Sequence, residues 1–122
     1  MFKGVRTVIY GVPDIAAAKV WYSGILGFEP YFDQPFYVGY SVGGYELGLD
    51  PNSVPGNGTR SGPLAYWGVD NIETTMARLL ERGAKVVEAA QEVGDGIKVG
   101  SVSDPFGNVF GIIENPNFKL SE

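Results

Sequence analysis

The 122-residue chain contains no cysteine and no histidine. Without cysteine there is no disulfide framework, no thiolate metal site and no cysteine nucleophile. Without histidine, the serines at 23, 41, 53, 61, 101, 103 and 121 have no imidazole to activate them, so Ser-His hydrolase chemistry is excluded by composition. Long hydrophobic runs are also missing. No stretch approaches the roughly 20 apolar residues of a membrane span, and the opening "MFKGVRTVIYGVPD" carries Lys3, Arg6 and Pro13 where a signal peptide needs an unbroken apolar core. The expectation is a cytoplasmic protein that engages no membrane, in which "NGT" at 57–59 is a chance sequon. Cations are few: nine Lys and Arg stand singly against fourteen Asp and Glu, for a net charge of −5, which disfavours nucleic acid and favours neutral or cationic small molecules. What is present is apolar and aromatic matter, 44% hydrophobic with seven Tyr, seven Phe and two Trp, enough for one sizeable core.

The chain has the same pattern twice. In "VRTVIYGVPDIAAAKVWYSGILGFEPYF" a β-branched and aromatic run is followed by Pro13-Asp14 and by apolar residues at 15, 18, 21, 22, 25 and 26. This spacing predicts a strand, a cap and an amphipathic helix that stops at Gly24 and Gly27. "LAYWGVDNIETTMARLLERGAKVVEA" repeats the sequence of events about 57 residues later, with a strand at 64–69, Asp70-Asn71 as cap, and Ile72, Met76, Leu79 and Leu80 on one side. Three more strands follow each helix: 28–33, 36–42 and 45–50, then 85–90, 97–103 and 108–114. Gly43-Gly44 and Gly94-Asp95-Gly96 supply hairpin turns. The fold class expected is α+β, two βαβββ modules forming a curled mixed sheet around a cleft. Module one is 1–50, the Gly/Pro/Asn/Ser-rich linker 51–62 and module two 63–122. A layer with one bare face must pair, within the chain or across a dimer.

The segments "VPDIAAAKVWYSGILGFEP" and "VSDPFGNVFGIIE" resemble the first-module signature and the closing motif of the vicinal oxygen chelate superfamily, which includes glyoxalase I, extradiol dioxygenases, fosfomycin-resistance enzymes and bleomycin-resistance proteins. The resemblance covers nearly the whole chain. In the metal-dependent members, four ligands come from the first and last strand of each module, and His and Glu usually fill them. Carried over by motif, those positions are Thr7, Glu46, Leu64 and Gly111. Only Glu46 is of a metal-ligand type. A Zn²⁺ or Ni²⁺ site needs three or more imidazole, thiolate or carboxylate donors, so no metal and no cofactor is expected; Glu46 with Asp50 or Thr7 supplies too few oxygens for Mg²⁺ or Ca²⁺.

Strand alternation extends the candidate cleft from these positions. Ile9 and Gly11 are in step with Thr7, and Tyr66 and Gly68 with Leu64. Tyr37, Gly39 and Ser41 share one face of the middle hairpin strand, while Phe36, Val38, Tyr40 and Val42 belong to the core. Val8, Tyr10, Ala65, Trp67 and Val69 face the helices. The ligand-binding set is therefore Thr7, Ile9, Tyr37, Ser41, Glu46, Leu64, Tyr66 and Gly111. Glu46 is either a base or cation anchor in a half-apolar cleft, or an idle relic. As an anchor held out of water it would cost the free protein stability, so Glu46→Gln would raise the melting temperature. Asp14 and Asp70 are read as helix caps and Asp104 as the acceptor of a turn. The linker lacks the Lys-Ser/Thr ending of a phosphate loop.

Two functions compete, with a vestigial cleft as a third. One is a metal-independent module, similar to bleomycin-resistance proteins, that sequesters a drug or metabolite in a homodimer. The other is a glyoxalase-like lyase or isomerase with Glu46 as catalytic base, which would lack the metal's stabilisation of developing oxyanion charge.

Overall fold

The computed structural model describes residues 1–119. The last three residues of module two as read from the sequence, Ser121 among them, lie outside the described residues. The chain divides into two compact units, one from Met1 to Asn57 and one from Gly58 onward. Each is a four-stranded mixed sheet with one helix, so the α+β class and the doubled βαβββ order are those of the sequence reading.

In the first unit the elements are β1 (Thr7–Gly11), α1 (Ile15–Leu26), β2 (Phe32–Gln34), β3 (Tyr37–Val42) and β4 (Tyr45–Asp50). The sheet order is β1-β4-β3-β2, with β1 parallel to β4 and the other pairs antiparallel. Asp14 caps α1 by accepting from the Ala17 N–H at 3.1 Å, and Gly27, at φ 85°, ends it in the left-handed region that a glycine adopts without strain. One helical turn apart, Ala18 and Tyr22 are fully buried, as are Tyr40, Leu47 and Leu49 on the sheet strands α1 packs against. Alternation puts the helix-facing residues of β1, β3 and β4 in the core and leaves Thr7, Ile9, Gly39, Ser41, Glu46 and Gly48 on the opposite face.

Two expectations fail here. β2 is short because Pro30 has no N–H to give to a ladder, so the strand starts at Phe32 rather than 28. Phe36 lies in the turn after Pro35, is 61% exposed and packs edge-on against Phe32 at 6.0 Å, so it is not a core residue.

Tyr40 is the buried polar element of this core. Its phenol donates to the Lys19 carbonyl at 3.1 Å and accepts from the Ser23 hydroxyl at 2.8 Å. Burial pushes this phenol above its ordinary value against the opposing pull of the Ser23 hydrogen bond. A folded value above the unfolded one means that Tyr40's contribution is whole below about pH 10 and is lost as pH rises through the folded value. Urea midpoints measured from pH 8 upward should therefore fall at alkaline pH, and Tyr40→Phe should flatten that fall. An equally steep fall in the variant would assign it elsewhere.

The second unit comprises β5 (Tyr66–Gly68), α2 (Ile72–Glu81), β6 (Lys85–Gly94), β7 (Ile97–Ser103) and β8 (Val109–Glu114), ordered β5-β8-β7-β6 with β5 parallel to β8. The N-cap of α2 is Asn71, which accepts from the Thr74 N–H at 2.8 Å, and not Asp70. A second acceptor comes from far along the chain: Glu114 on β8 takes the Ile72 N–H at 2.9 Å. Ile72, Met76 and Leu79 bury one stripe of α2, whereas Leu80 stays 39% exposed outside it. Trp67, expected in the core, stacks on Phe110 with centroids 6.1 Å apart but is only half-buried. β6 runs four residues beyond its expected end, and its pairing with β7 carries register shifts between Val86 and Glu88, Glu88 and Gln91, and Glu92 and Gly94.

The turn into β8 is held by Asp104, 4% exposed. Its Oδ1 accepts from the N–H groups of Phe106 at 2.9 Å and Asn108 at 2.8 Å, and its Oδ2 from the Asn108 amide at 3.2 Å. Gly107, at φ 95°, makes the reversal.

Candidate functional site

The open face of the first sheet centres on Glu46. Its Cα partners are Thr7 on β1 and Ser41 on β3, so three polar side chains meet in one row across the sheet. The next row is Ile9, Gly48 and Gly39. Two glycines side by side leave a floor without side chains, and two tyrosines lie on it. A Cβ on Gly48 would come within 2.0 Å of the Tyr37 Oη, and one on Gly39 within 3.3 Å of the Tyr31 ring. Both rings reach the same carboxylate: Tyr31 Oη donates to Glu46 Oε1 and Tyr37 Oη to Glu46 Oε2. Burial raises the Tyr37 phenol above its ordinary value, with the Asp50 carboxylate adding to the shift, so this group remains a proton donor at neutral pH.

Beside this cluster a cavity of about 400 Å³ opens, within the range of small-molecule sites. Arg6, Thr7, Tyr31, Ser41, Tyr45 and Glu46 line it. Arg6 is placed just ahead of β1, its carbonyl accepting the Glu46 N–H at 2.8 Å. Its guanidinium donates to the carbonyls of Lys3 at 3.0 Å and Val5 at 3.4 Å. Of the residues expected at the site, Thr7, Ser41 and Glu46 line the cavity, Tyr37 contacts Glu46, and Ile9 lies one row along, 51% exposed. Gly11, expected to line the cleft, is instead covered: a Cβ there would meet the Ser53 carbonyl at 2.5 Å.

The second unit is built differently at the corresponding positions. Leu64 precedes β5 rather than lying in it, and the residue in register with Gly111 is Tyr66. A Cβ on Gly111 would sit 2.5 Å from the Ala65 carbonyl and 2.9 Å from the Tyr66 ring. Backbone and ring therefore occupy the space that a ligating side chain would need. The carboxylate on this face is Glu88, which accepts from the fully buried Ser101 at 3.2 Å and pairs with Arg60 at 3.0 Å.

The four positions do not fit a metal. Thr7, Leu64 and Gly111 offer no strong donor, which leaves one carboxylate where a transition metal needs three or more donors. Among the described residues no group of three or more Asp or Glu side chains converges as a metal set.

Tyr31, Arg6, Glu88 and Arg60 are not among the site residues expected from the sequence. For Tyr31 the usable signal was the run of aromatics around two prolines in "EPYFDQPFY". For Glu88 no signal existed, because the shift in register after Val86 breaks the alternation that would have assigned its face.

Comparison with known proteins supports the fold and the family. No protein with a curated description is similar enough to match. Among solved structures, a glyoxalase-related enzyme from Fulvimarina pelagi is 22% identical with a TM-score of 0.75, over 98% of this chain and 94% of that one. A member of the Glyoxalase/bleomycin resistance protein/dioxygenase superfamily from Sphaerobacter thermophilus is 23% identical with a TM-score of 0.71, over 94% and 99%. A lactoylglutathione lyase from Agrobacterium tumefaciens is 19% identical with a TM-score of 0.70, over 98% and 100%. At these identities the likeness concerns the fold. Residues 4–112 match the family model itself, and the chain belongs to the Glyoxalase/Bleomycin resistance protein/Dioxygenase superfamily.

Proposed function

We propose that this chain is a metal-independent small-molecule-binding protein of the superfamily, sequestering a drug or metabolite in the groove beside Glu46. The observation that carries this reading is the pair of phenols on Glu46: the one ligand-type side chain left at the four positions is committed to Tyr31 and Tyr37 and positioned beside a cavity of about 400 Å³. A carboxylate so oriented offers its remaining lone pairs to a ligand donor. Working cytoplasmic as a homodimer belongs to the same proposal. Light scattering at tens of micromolar should give about twice the chain mass, and a clean monomer would refute the dimer.

Glu46→Gln separates binding from idleness. The amide keeps the volume but can accept only one phenol, so a drop of roughly 1 kcal/mol in stability is expected whatever the function, since the site is partly exposed. The rise in melting temperature that a partnerless carboxylate would give is therefore not expected. Affinity is the discriminating quantity. A ligand found by thermal-shift screening in the presence of EDTA should bind roughly 10–100-fold more weakly to Glu46→Gln, the worth of a charge-assisted hydrogen bond. Binding that disappears with EDTA, or that ignores the substitution, would refute the reading.

A lyase or isomerase reading draws on one observation, a protonated Tyr37 donating to Glu46, which places a proton donor next to a base. Turnover that survives EDTA and is abolished in Glu46→Gln would favour it over sequestration.

A further inference from the structure

We propose that the groove takes a zwitterion, a small molecule whose ammonium group docks on Glu46 and whose carboxylate docks on Arg6. The proposal rests on the binding reading above and specifies its ligand. Its basis is the state of the two charges. Arg6 and Glu46 line one cavity, yet they form no ion pair with each other; each is held by partners of its own. Glu46 is fixed by Tyr31 and Tyr37, and Arg6 by the carbonyls of Lys3 and Val5. Opposite charges that share a groove gain by pairing unless something holds them apart, and here hydrogen bonds hold both.

The result is two separate poles with unused capacity. A carboxylate offers about four acceptor sites, of which the phenols take two. A guanidinium has five N–H donors, and the Arg6 bonds to Lys3 and Val5 both start from Nη1. A simple cation would gain at Glu46 but meet repulsion from Arg6, and a simple anion the reverse. A molecule carrying both charges is favoured at each end. The hydroxyls of Thr7 and Ser41 and the rings of Tyr31 and Tyr45 line the rest of the cavity, which suits a body that is part polar and part flat.

A matched set of probes tests this: phenylalanine, 2-phenylethylamine, which lacks its carboxylate, and 3-phenylpropanoate, which lacks its ammonium group. Amide chemical shifts of isotope-labelled protein are followed on titration for the wild type, Glu46→Gln, Arg6→Met and Arg6→Lys. Phenylalanine should bind at least about 10-fold more tightly than either singly charged analogue, the smaller estimate for one charge-assisted contact. In Arg6→Met its affinity should drop to that of 2-phenylethylamine, while 2-phenylethylamine itself binds no worse; Arg6→Lys should restore part of the preference. If 2-phenylethylamine matches phenylalanine in the wild type, the zwitterion proposal is overturned and the small-molecule reading stands. A silent titration with all three probes also overturns it, and only failure of the wider screen as well removes the binding reading.

Discussion

Gly111→Glu should destabilise the protein by about 3 kcal/mol and still leave it without a bound metal. The substitution reinstates a ligand-type side chain at a position where metal-dependent relatives by resemblance carry one. The Cβ alone would approach the Ala65 carbonyl to 2.5 Å and the Tyr66 ring to 2.9 Å. Backbone cannot step aside as a flexible side chain can, because the Gly111 N–H also bonds that carbonyl at 3.2 Å. The strain falls at the upper end of overpacking costs, about 3 kcal/mol, which for a chain of this size lowers the melting temperature by roughly 10 °C. Calorimetry and elemental analysis of the purified variant check both halves. An unshifted melting temperature, or one Zn²⁺ or Ni²⁺ per chain, would show that the position is an open ligand site after all.

Asp104→Ala is expected to cost about 2–4 kcal/mol. Three donors lose their acceptor at once, two of them backbone N–H groups in a turn that is buried at Asp104 and Asn108. Unsatisfied buried donors carry nearly the full cost of their desolvation. Asp104→Asn keeps the shape and one carbonyl oxygen, so it should lose less than half as much. Asp14→Ala, which removes a cap at an exposed helix end, should cost only about 1 kcal/mol. Urea denaturation of the three variants should rank them in that order; an Asp104→Ala midpoint equal to that of the wild type would refute the turn as the reason for this residue.

The repeated βαβββ plan is legible in the sequence because its signals are local. Apolar spacing marks the helices, capping residues their starts, and glycines the turns. Errors begin where pairing is decided by distant residues. Leu64 looks like a strand residue from its neighbours, but β5 forms only where it has β8 to pair with, from Tyr66. Glu88 lies beyond a shift in register that no local pattern announces. The two halves of the Glu46 cluster differ in the same way: Tyr37 follows from alternation within β3, whereas Tyr31 sits outside any strand after Pro30 and reaches Glu46 only once β2 and β3 have paired, its N–H bonding the Gly39 carbonyl at 3.0 Å. That Gly111 stands, by resemblance, at a ligand position is legible. That its space is already filled is not, since the filler arrives across a parallel pairing from residues 65 and 66.

The paired glycines 39 and 48 bear on how freely the Glu46 carboxylate can move. The Tyr37 phenol lies over Gly48, and the Tyr31 ring with one Glu46 oxygen over Gly39. Side chains turn about their own bonds on a far shorter timescale than any strand shifts. The carboxylate is thus held by two hinged rings over a flat bed, whereas the Arg6 guanidinium is held by backbone carbonyls. One charge can swing with its phenols while the other keeps its place. A Cβ introduced at Gly48 would take the space of the Tyr37 hydroxyl and leave the carboxylate one phenol fewer.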